Sequence, residues 1–168
     1  MSKHRIEGLQ DAYRYTIDHS AKALEKFPAD KRFYQVKPGK GHALWQVGHM
    51  TLSLDLIVNS WLLNGATTLP GDWTPKFAPD VMGGAAPHAD PKGYPSWDEV
   101  LANYKKVGQR TIELVGALND EDLAGDPRGP LPPPAKNFFG KLGVSLMGMA
   151  MHDSHHEGQL ALLKGAAS

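Results

Sequence analysis

Apolar residues recur at helical spacing in four long segments, and this periodicity restricts the fold more than any other feature of the chain. The segments run roughly from Arg5 to Phe27, from Ala43 to Leu63, from Ser96 onward and from Asn137 to Lys164. Apolar steps of three, four or seven residues are typical of amphipathic helices, and no segment alternates as a β-strand does. The pattern predicts an all-α protein, most simply a four-helix bundle. The 168 residues suit a single domain, residues 1–168.

Charge and cysteine content exclude several classes of function. The chain has 18 Lys plus Arg and 18 Asp plus Glu, so its net charge is zero. A nucleic-acid-binding protein would normally carry a basic excess, and we expect no nucleic-acid partner. The chain has no cysteine, so any metal ligand must be nitrogen or oxygen. No apolar run approaches the roughly 20 residues of a membrane span, and the N-terminus lacks a signal-peptide pattern. We therefore expect a cytoplasmic protein.

Two histidines of the fourth segment form the sharpest local pattern. His152 and His156 are four residues apart, which places them on one helix face with Cβ atoms about 5–6 Å apart. Two imidazoles at that separation can reach one ion at about 2.0–2.1 Å per bond. The residue after His152 is Asp153 and not Glu, so the zinc-protease motif HExxH is not matched. Taken alone, the pair is equally compatible with two ordinary histidines that bind nothing.

A third histidine lies on the apolar face of the second helix. His49 aligns with Trp45, Leu52 and Leu56 at steps of four, three and four. A histidine that points into a bundle needs a hydrogen-bond partner or a metal. Alone it would be read as a satisfied core residue, but three imidazoles can meet inside a bundle, where such folds build metal sites. Three protein ligands plus a water are typical of an open, catalytic type of metal site.

Neighbours of the histidine pair have less certain roles. His155 is adjacent to His156, so we expect it to point away from the metal face and to be exposed. Asp153 is also off that face; it either orients a neighbour or is a solvated residue of the helix surface, and we favour solvation. Gln159 follows His156 by three residues and is either an outer hydrogen-bond partner of a ligand or an exposed polar residue. His42 lies at the start of the second helix, with its role open.

The segment from Gly65 to Pro95 is long and rich in turn-forming residues. It holds six prolines and five glycines, so we expect no regular element in it. It also carries Trp73 and Phe77, which indicates a loop packed on the body and not a disordered linker. Because long packed loops are often functional, we expect this one to fold back and form a wall of the metal-site entrance; the alternative is that it covers the far end of the bundle and serves only packing.

These motifs resemble those of one known family. The stretch from His152 to Leu160, HDSHHEGQL, looks like the H-x-x-x-H-x-G-Q signature of the DinB-like (DinB/YfiT) superfamily, and Trp45 to His49 is similar to its Trp-x-x-x-His element. The resemblance covers nearly the whole chain. It implies an up-down-down-up four-helix bundle, often dimeric, with zinc, nickel or a similar ion at His49, His152 and His156. Glu157 stands where the family often has a basic residue, which leaves the ligands untouched.

Three classes of function remain open at this point. The first is a metal-dependent enzyme acting on a small molecule, and the resemblance implies a thiol transferase or a hydrolase, with a low-molecular-weight thiol as one candidate substrate. The second is a non-catalytic metal- or ligand-binding structural dimer, and the third is a structural helical dimer whose histidines bind no metal. We expect a homodimer because the second helix has more apolar residues than one core face requires: Leu54, Ile57, Val58, Trp61 and Leu62.

Overall fold

The computed structural model describes residues 3–166, which contain helices and turns but no β-strand. The all-α prediction is therefore confirmed for this part of the chain. None of its helices is long and apolar enough to cross a membrane. The four long helices are α1 (His4–Glu25), α2 (Ala43–Leu52, continuing as a π-helix over Ser53–Leu62), α4 (Trp97–Gly116) and α6 (Leu142–Gly165). The short elements are α3 (Trp73–Phe77), α5 (Pro133–Lys136) and 3₁₀ turns at Ala29–Lys31, Asp80–Met82 and Asp122–Ala124.

The long helices pack in a ring in which α1 and α2 each contact both α4 and α6. The Tyr13 hydroxyl donates to the Leu146 carbonyl at 2.7 Å, and His19 lies 3.1 Å from Glu157. Residue numbers increase together in these two pairs, so α1 and α6 run in the same direction.

The other two helices run the opposite way. The Gln10 amide of α1 donates to the Ile112 carbonyl of α4 at 2.9 Å, while Glu25 pairs with Lys105. Residue numbers rise along α1 as they fall along α4, so these helices are antiparallel. Gln46 of α2 contacts His156 of α6, and His49 of α2 contacts His152. Residue numbers therefore rise along α2 as they fall along α6, so these two helices are antiparallel. These directions agree with the predicted up-down-down-up order.

The surplus apolar residues of α2 are largely buried within the chain. Leu54, Val58 and Leu62 are fully buried, and only Ile57 and Trp61 stay half-exposed. The helix contacts α3, α4 and α6, so more than one of its faces is covered without a second subunit. Three of these five residues therefore belong to the core of the chain itself, and the homodimer loses most of the argument on which it was predicted.

The segment between residues 65 and 95 also differs from its prediction, because it contains helix α3. Trp73 and Phe77 are four residues apart and both are buried, so burial of their rings on one helix face stabilises a single turn. Pro75 lies in the first turn, where the backbone N–H that proline lacks would have no partner within the helix.

Helix α6 begins at Leu142 and not at Asn137, since Lys141 has an extended backbone with ψ of 148°.

His42 caps the N-terminus of α2 and ties it to the long loop. Its Nδ1 accepts from the Trp45 backbone N–H at 3.1 Å, so its Nε2–H donates to the His88 carbonyl, also at 3.1 Å. The ring is fully buried, and this burial lowers the pKa of His42 from its ordinary 6.5 to about 4. A histidine that is neutral when folded makes folding sensitive to acid.

We expect the metal-free protein to lose stability as the pH falls from 6.5 toward 4. Over this window the unfolded chain binds a proton at His42 that the folded chain excludes, and the partly buried His49 and the buried His156 act in the same direction. A His42→Asn variant keeps a side chain suited to helix capping and should lose stability less steeply. Urea unfolding at several pH values measures this slope. A His4→Asn control, changed at an exposed side chain, should retain the parent slope, and equal slopes for His42→Asn and parent would contradict the assignment.

Candidate metal centre

Three histidines from two antiparallel helices converge on one point. His49 Nε2 of α2 lies 3.2 Å from His152 Nε2 of α6, and His156 Nε2 lies 3.1 Å from the same atom. All three ligand atoms fall within 4.8 Å of one another. The convergence predicted from the four-residue spacing and the inward histidine of α2 is confirmed.

The position of His49 depends on close packing around α2. The Trp45 ring, one turn earlier, stacks on the His49 ring with centroids 4.9 Å apart and planes 5° apart. On the other side, the Phe77 ring of α3 packs directly over Gly48, where a Cβ atom would lie 2.3 Å from ring carbons. Since only glycine leaves room for that ring, the sequence Gly48-His49 brings the long loop to the site.

The outward nitrogens of two ligands are held by oxygen acceptors. His49 Nδ1–H donates to the Phe77 carbonyl at 2.9 Å. His156 Nδ1–H donates to Gln159 Oε1 at 2.9 Å and also faces Gln46 Oε1. A proton on Nδ1 leaves the Nε2 lone pair free, so these contacts assign the tautomer in which both rings present a lone pair to the centre.

The third ligand faces a carboxylate. His152 Nδ1 lies 3.5 Å from Asp153 Oδ1, and Asp153 is only 1% exposed. The interpretation of Asp153 as a solvated residue is therefore wrong. It follows Leu146 and Ala150 by seven and three residues, and both are buried. Asp153 thus belongs to the core stripe of α6, a position that its charge concealed in the sequence.

The donor set fits a divalent transition metal. The outward contacts of His49 and His156 leave the Nε2 lone pairs of both rings facing His152 Nε2, an arrangement that either a proton on His152 Nε2 or a cation at the centre satisfies. Metal–nitrogen bonds of about 2.0–2.1 Å at a tetrahedral angle separate two ligand nitrogens by about 3.3 Å. The observed 3.2 and 3.1 Å are close to that value. Imidazole nitrogens suit zinc, copper, iron and nickel.

Burial keeps two of the ligands in the form that binds metal. Desolvation lowers the pKa of His49 to about 4. It lowers the pKa of His156 to about 3, with smaller contributions from the charges of His152 and His49. Both rings are therefore neutral at pH 7, and metal binding there does not have to displace a proton from them.

An apolar depression lies beside His49, between α2 and the long loop. Its lining, apart from His49 itself, consists of Leu52, Ser53, Leu56, Ile57, Ala78, Pro79 and Met82. Together with the Phe77 carbonyl, these residues show that the loop reaches the site, as predicted.

His155 is exposed and is outside the three-histidine cluster. Its Nε2 accepts from the Gln159 amide at 2.9 Å.

Sequence reasoning missed two partners of the ligands. Gln46 precedes His49 by three residues, so its place on the same face of α2 was available as a signal. The Phe77 carbonyl is a main-chain atom, and no residue type marks it in a sequence. Gln159 was correctly weighed as an outer hydrogen-bond partner of His156.

A model of the DinB superfamily matches residues 12–160 of the chain, which include all three histidines of the cluster. No curated protein matches the sequence significantly.

Proposed function

The chain belongs to the DinB superfamily, and on that premise we propose a metal-dependent enzyme with one zinc or nickel ion held by His49, His152 and His156. The observation that carries the proposal is the set of three Nε2 atoms directed at one point from two packed helices. Within residues 3–166 no fourth His, Asp or Glu joins this cluster. A three-ligand site of this kind leaves a coordination position for a small molecule, which distinguishes catalytic from structural sites.

The reaction we propose is transfer of a low-molecular-weight thiol to an electrophilic carbon. A divalent ion at the centre would lower the pKa of a thiol and so supply a nucleophile at neutral pH. The sulfur then bonds to carbon, the leaving group departs with its electron pair, and the thiol proton passes to solvent. The chain contributes ligand geometry, because the imidazoles of His49 and His156 are each oriented by an oxygen that accepts from Nδ1–H. The apolar side chains beside His49 are placed to contact the carbon skeleton of an electrophile bound at the ion.

Hydrolysis is the second candidate, and the lining of the depression makes it the weaker one. Hydrolysis of an amide or ester benefits from a side chain that protonates the leaving group. Apart from His49, the described residues that line the depression include no titratable side chain. Thiol transfer to a carbon with a good leaving group does not require such an acid.

The proposed function can be tested with the purified protein in metal-free, zinc-loaded and nickel-loaded forms. Each form is mixed with glutathione or cysteine and an aryl halide whose thioether product is coloured. We expect product formation above the background rate in at least one loaded form and no enhancement in the metal-free form. Activity toward an ester and amide panel, without thiol transfer, would replace the proposal by the hydrolase. Stoichiometric metal binding without either activity would favour the non-catalytic binding protein.

A homodimer and a cytoplasmic location are also kept as proposals. With most of the surplus apolar residues of α2 buried in the chain itself, the dimer now rests on the family resemblance. Sedimentation equilibrium at micromolar concentration measures it directly. A monomer under those conditions would remove the dimer without affecting the metal centre.

A further inference from the structure

We propose that Asp153 is a positioning residue of the metal centre, holding the His152 ring through its Nδ1–H and placing a buried negative charge beside the ion. The inference deepens the proposed function and rests on its metal centre. It assigns a role to a buried carboxylate that metal coordination itself does not use.

The first argument is the pattern of outer contacts around the three histidines. His49 and His156 both turn Nδ1 toward an oxygen, the Phe77 carbonyl and the glutamine amides respectively. The corresponding oxygen for His152 is Asp153 Oδ1 at 3.5 Å. That distance exceeds the usual 2.7–3.2 Å of an N–H···O hydrogen bond, so the two groups face each other without one. Asp153 thus supplies the carboxylate that faces the outward nitrogen of His152, where the other two histidines have neutral acceptors.

The second argument is that Asp153 has no other partner. Both of its oxygens are buried and accept no hydrogen bond from a described protein group, and His152 Nδ1 is likewise without one. Of the buried hydroxyls that interact with it, Tyr13 donates to the Leu146 carbonyl and the Tyr104 hydroxyl has no hydrogen-bond partner among the described groups. Within residues 3–166, no lysine or arginine forms an ion pair with the carboxylate. A buried carboxylate without a cation is costly, and a positive charge at the adjacent centre would offset that cost.

The charge balance supports the same assignment. Three neutral imidazoles leave the full +2 charge of a divalent ion uncompensated inside the protein. One buried carboxylate next to a ligand reduces this to +1, which favours retention of the ion and is a common arrangement around metal-bound histidines. Glu157, the other acidic residue of this part of α6, lies four residues after Asp153 and pairs with His19 on α1, not with a histidine of the cluster.

The test uses zinc and cobalt(II) alone, with Asp153→Asn and Asp153→Leu as variants and Glu157→Gln as matched control. We expect Asp153→Asn to weaken zinc binding by about 10- to 100-fold, and Asp153→Leu to weaken it at least as much. The metal-free variants should unfold at or above the parent temperature, because an unpaired carboxylate has left the core. In the zinc-loaded parent, NMR should show a protected Nδ1–H for His152 that is lost in Asp153→Leu. Glu157→Gln should bind zinc like the parent.

The outcomes separate the inference from the function on which it rests. A parent protein that binds neither zinc nor cobalt overturns both the metal centre and the role of Asp153. A parent that binds zinc together with variants of unchanged affinity overturns the role of Asp153 alone. Variants that are destabilised without metal, yet bind zinc normally when folded, show that the carboxylate only stabilises the core. Opposite changes in zinc affinity and metal-free stability support the positioning role.

Discussion

Replacing His156 by alanine is expected to abolish tight zinc binding while the protein remains folded. His156 is the most buried of the three ligands and the one whose Nδ1 faces two amide oxygens. Loss of an outer partner alone costs about 10- to 100-fold in metal affinity, and loss of a ligand should cost more. Competition with a chromophoric zinc chelator measures the affinity of each protein.

The same substitution has a calculable effect on thermal stability. Excess zinc stabilises the parent by linkage, about 2.7 kcal/mol when free zinc is 100 times Kd. This corresponds to a rise in Tm of roughly 5–10 °C for a chain of this size. His156→Ala should lose that rise and keep a cooperative transition by circular dichroism, because the core of four helices supplies the metal-free stability.

His155→Ala is the matched control for this experiment. His155 is adjacent to His156 in the sequence, but its imidazole is exposed and lies outside the three-histidine cluster. The zinc affinity and the zinc-induced rise in Tm of the His155→Ala protein should therefore match those of the parent. Equal zinc binding by the His156→Ala protein and the parent would contradict the assignment of ligands. An unfolded His156→Ala protein would show that the ion or the imidazole is structural.

The elements that the sequence predicted well are those with long periodic patterns. Helix α1 spans His4–Glu25 where Arg5 to Phe27 was expected, and α4 begins at Trp97, one residue after the expected start at Ser96; differences of this size are usual for helix boundaries. In contrast, α3 was missed because two buried rings, Trp73 and Phe77, stabilise a turn inside a segment full of prolines. Tertiary burial overrode a local preference there. The π-helical turns over Ser53–Leu62 also have no recognisable periodic signature.

The site was predictable to the extent that helix geometry determines it. The four-residue spacing of His152 and His156 places them together on any helix, and His49 lay on an apolar stripe. The outer contacts were not predictable in the same way. Asp153 looked solvated because charged residues are rarely fully buried, and the Phe77 carbonyl depends on how the loop returns to α2. Such contacts follow from packing between distant segments and not from residue type.

Replacing Gly48 by alanine is expected to damage the site from outside the ligand set. The added Cβ would lie 2.3 Å from Phe77 ring carbons, and the ring is fully buried. Trp73 and Tyr94 pack on that ring with centroids 4.9 and 5.8 Å away, so it has little freedom to move. Overpacking of this kind costs about 1–3 kcal/mol. Movement of α3 would also take the Phe77 carbonyl away from His49 Nδ1.

We therefore expect Gly48→Ala to reduce both the free energy of unfolding and zinc affinity, the latter by about 10- to 100-fold as for other outer partners. Urea unfolding without metal and chelator competition measure the two effects separately. Gly148→Ala is the control, since that glycine is an exposed position of α6 where a Cβ meets no atom within 4 Å. It should raise stability by about 0.5–1 kcal/mol and leave zinc affinity unchanged.

A double variant distinguishes a local clash from general damage to the core. Phe77→Leu shortens the ring that meets the new Cβ but keeps the backbone carbonyl that orients His49. If Gly48 acts by admitting that ring, Gly48→Ala combined with Phe77→Leu should bind zinc more tightly than Gly48→Ala alone, even though Phe77→Leu by itself weakens the core. Additive losses in the double variant would mean that the two residues do not act through their contact. The close approach of α3 to α2 would then be a consequence of loop packing and not a requirement for the orientation of His49.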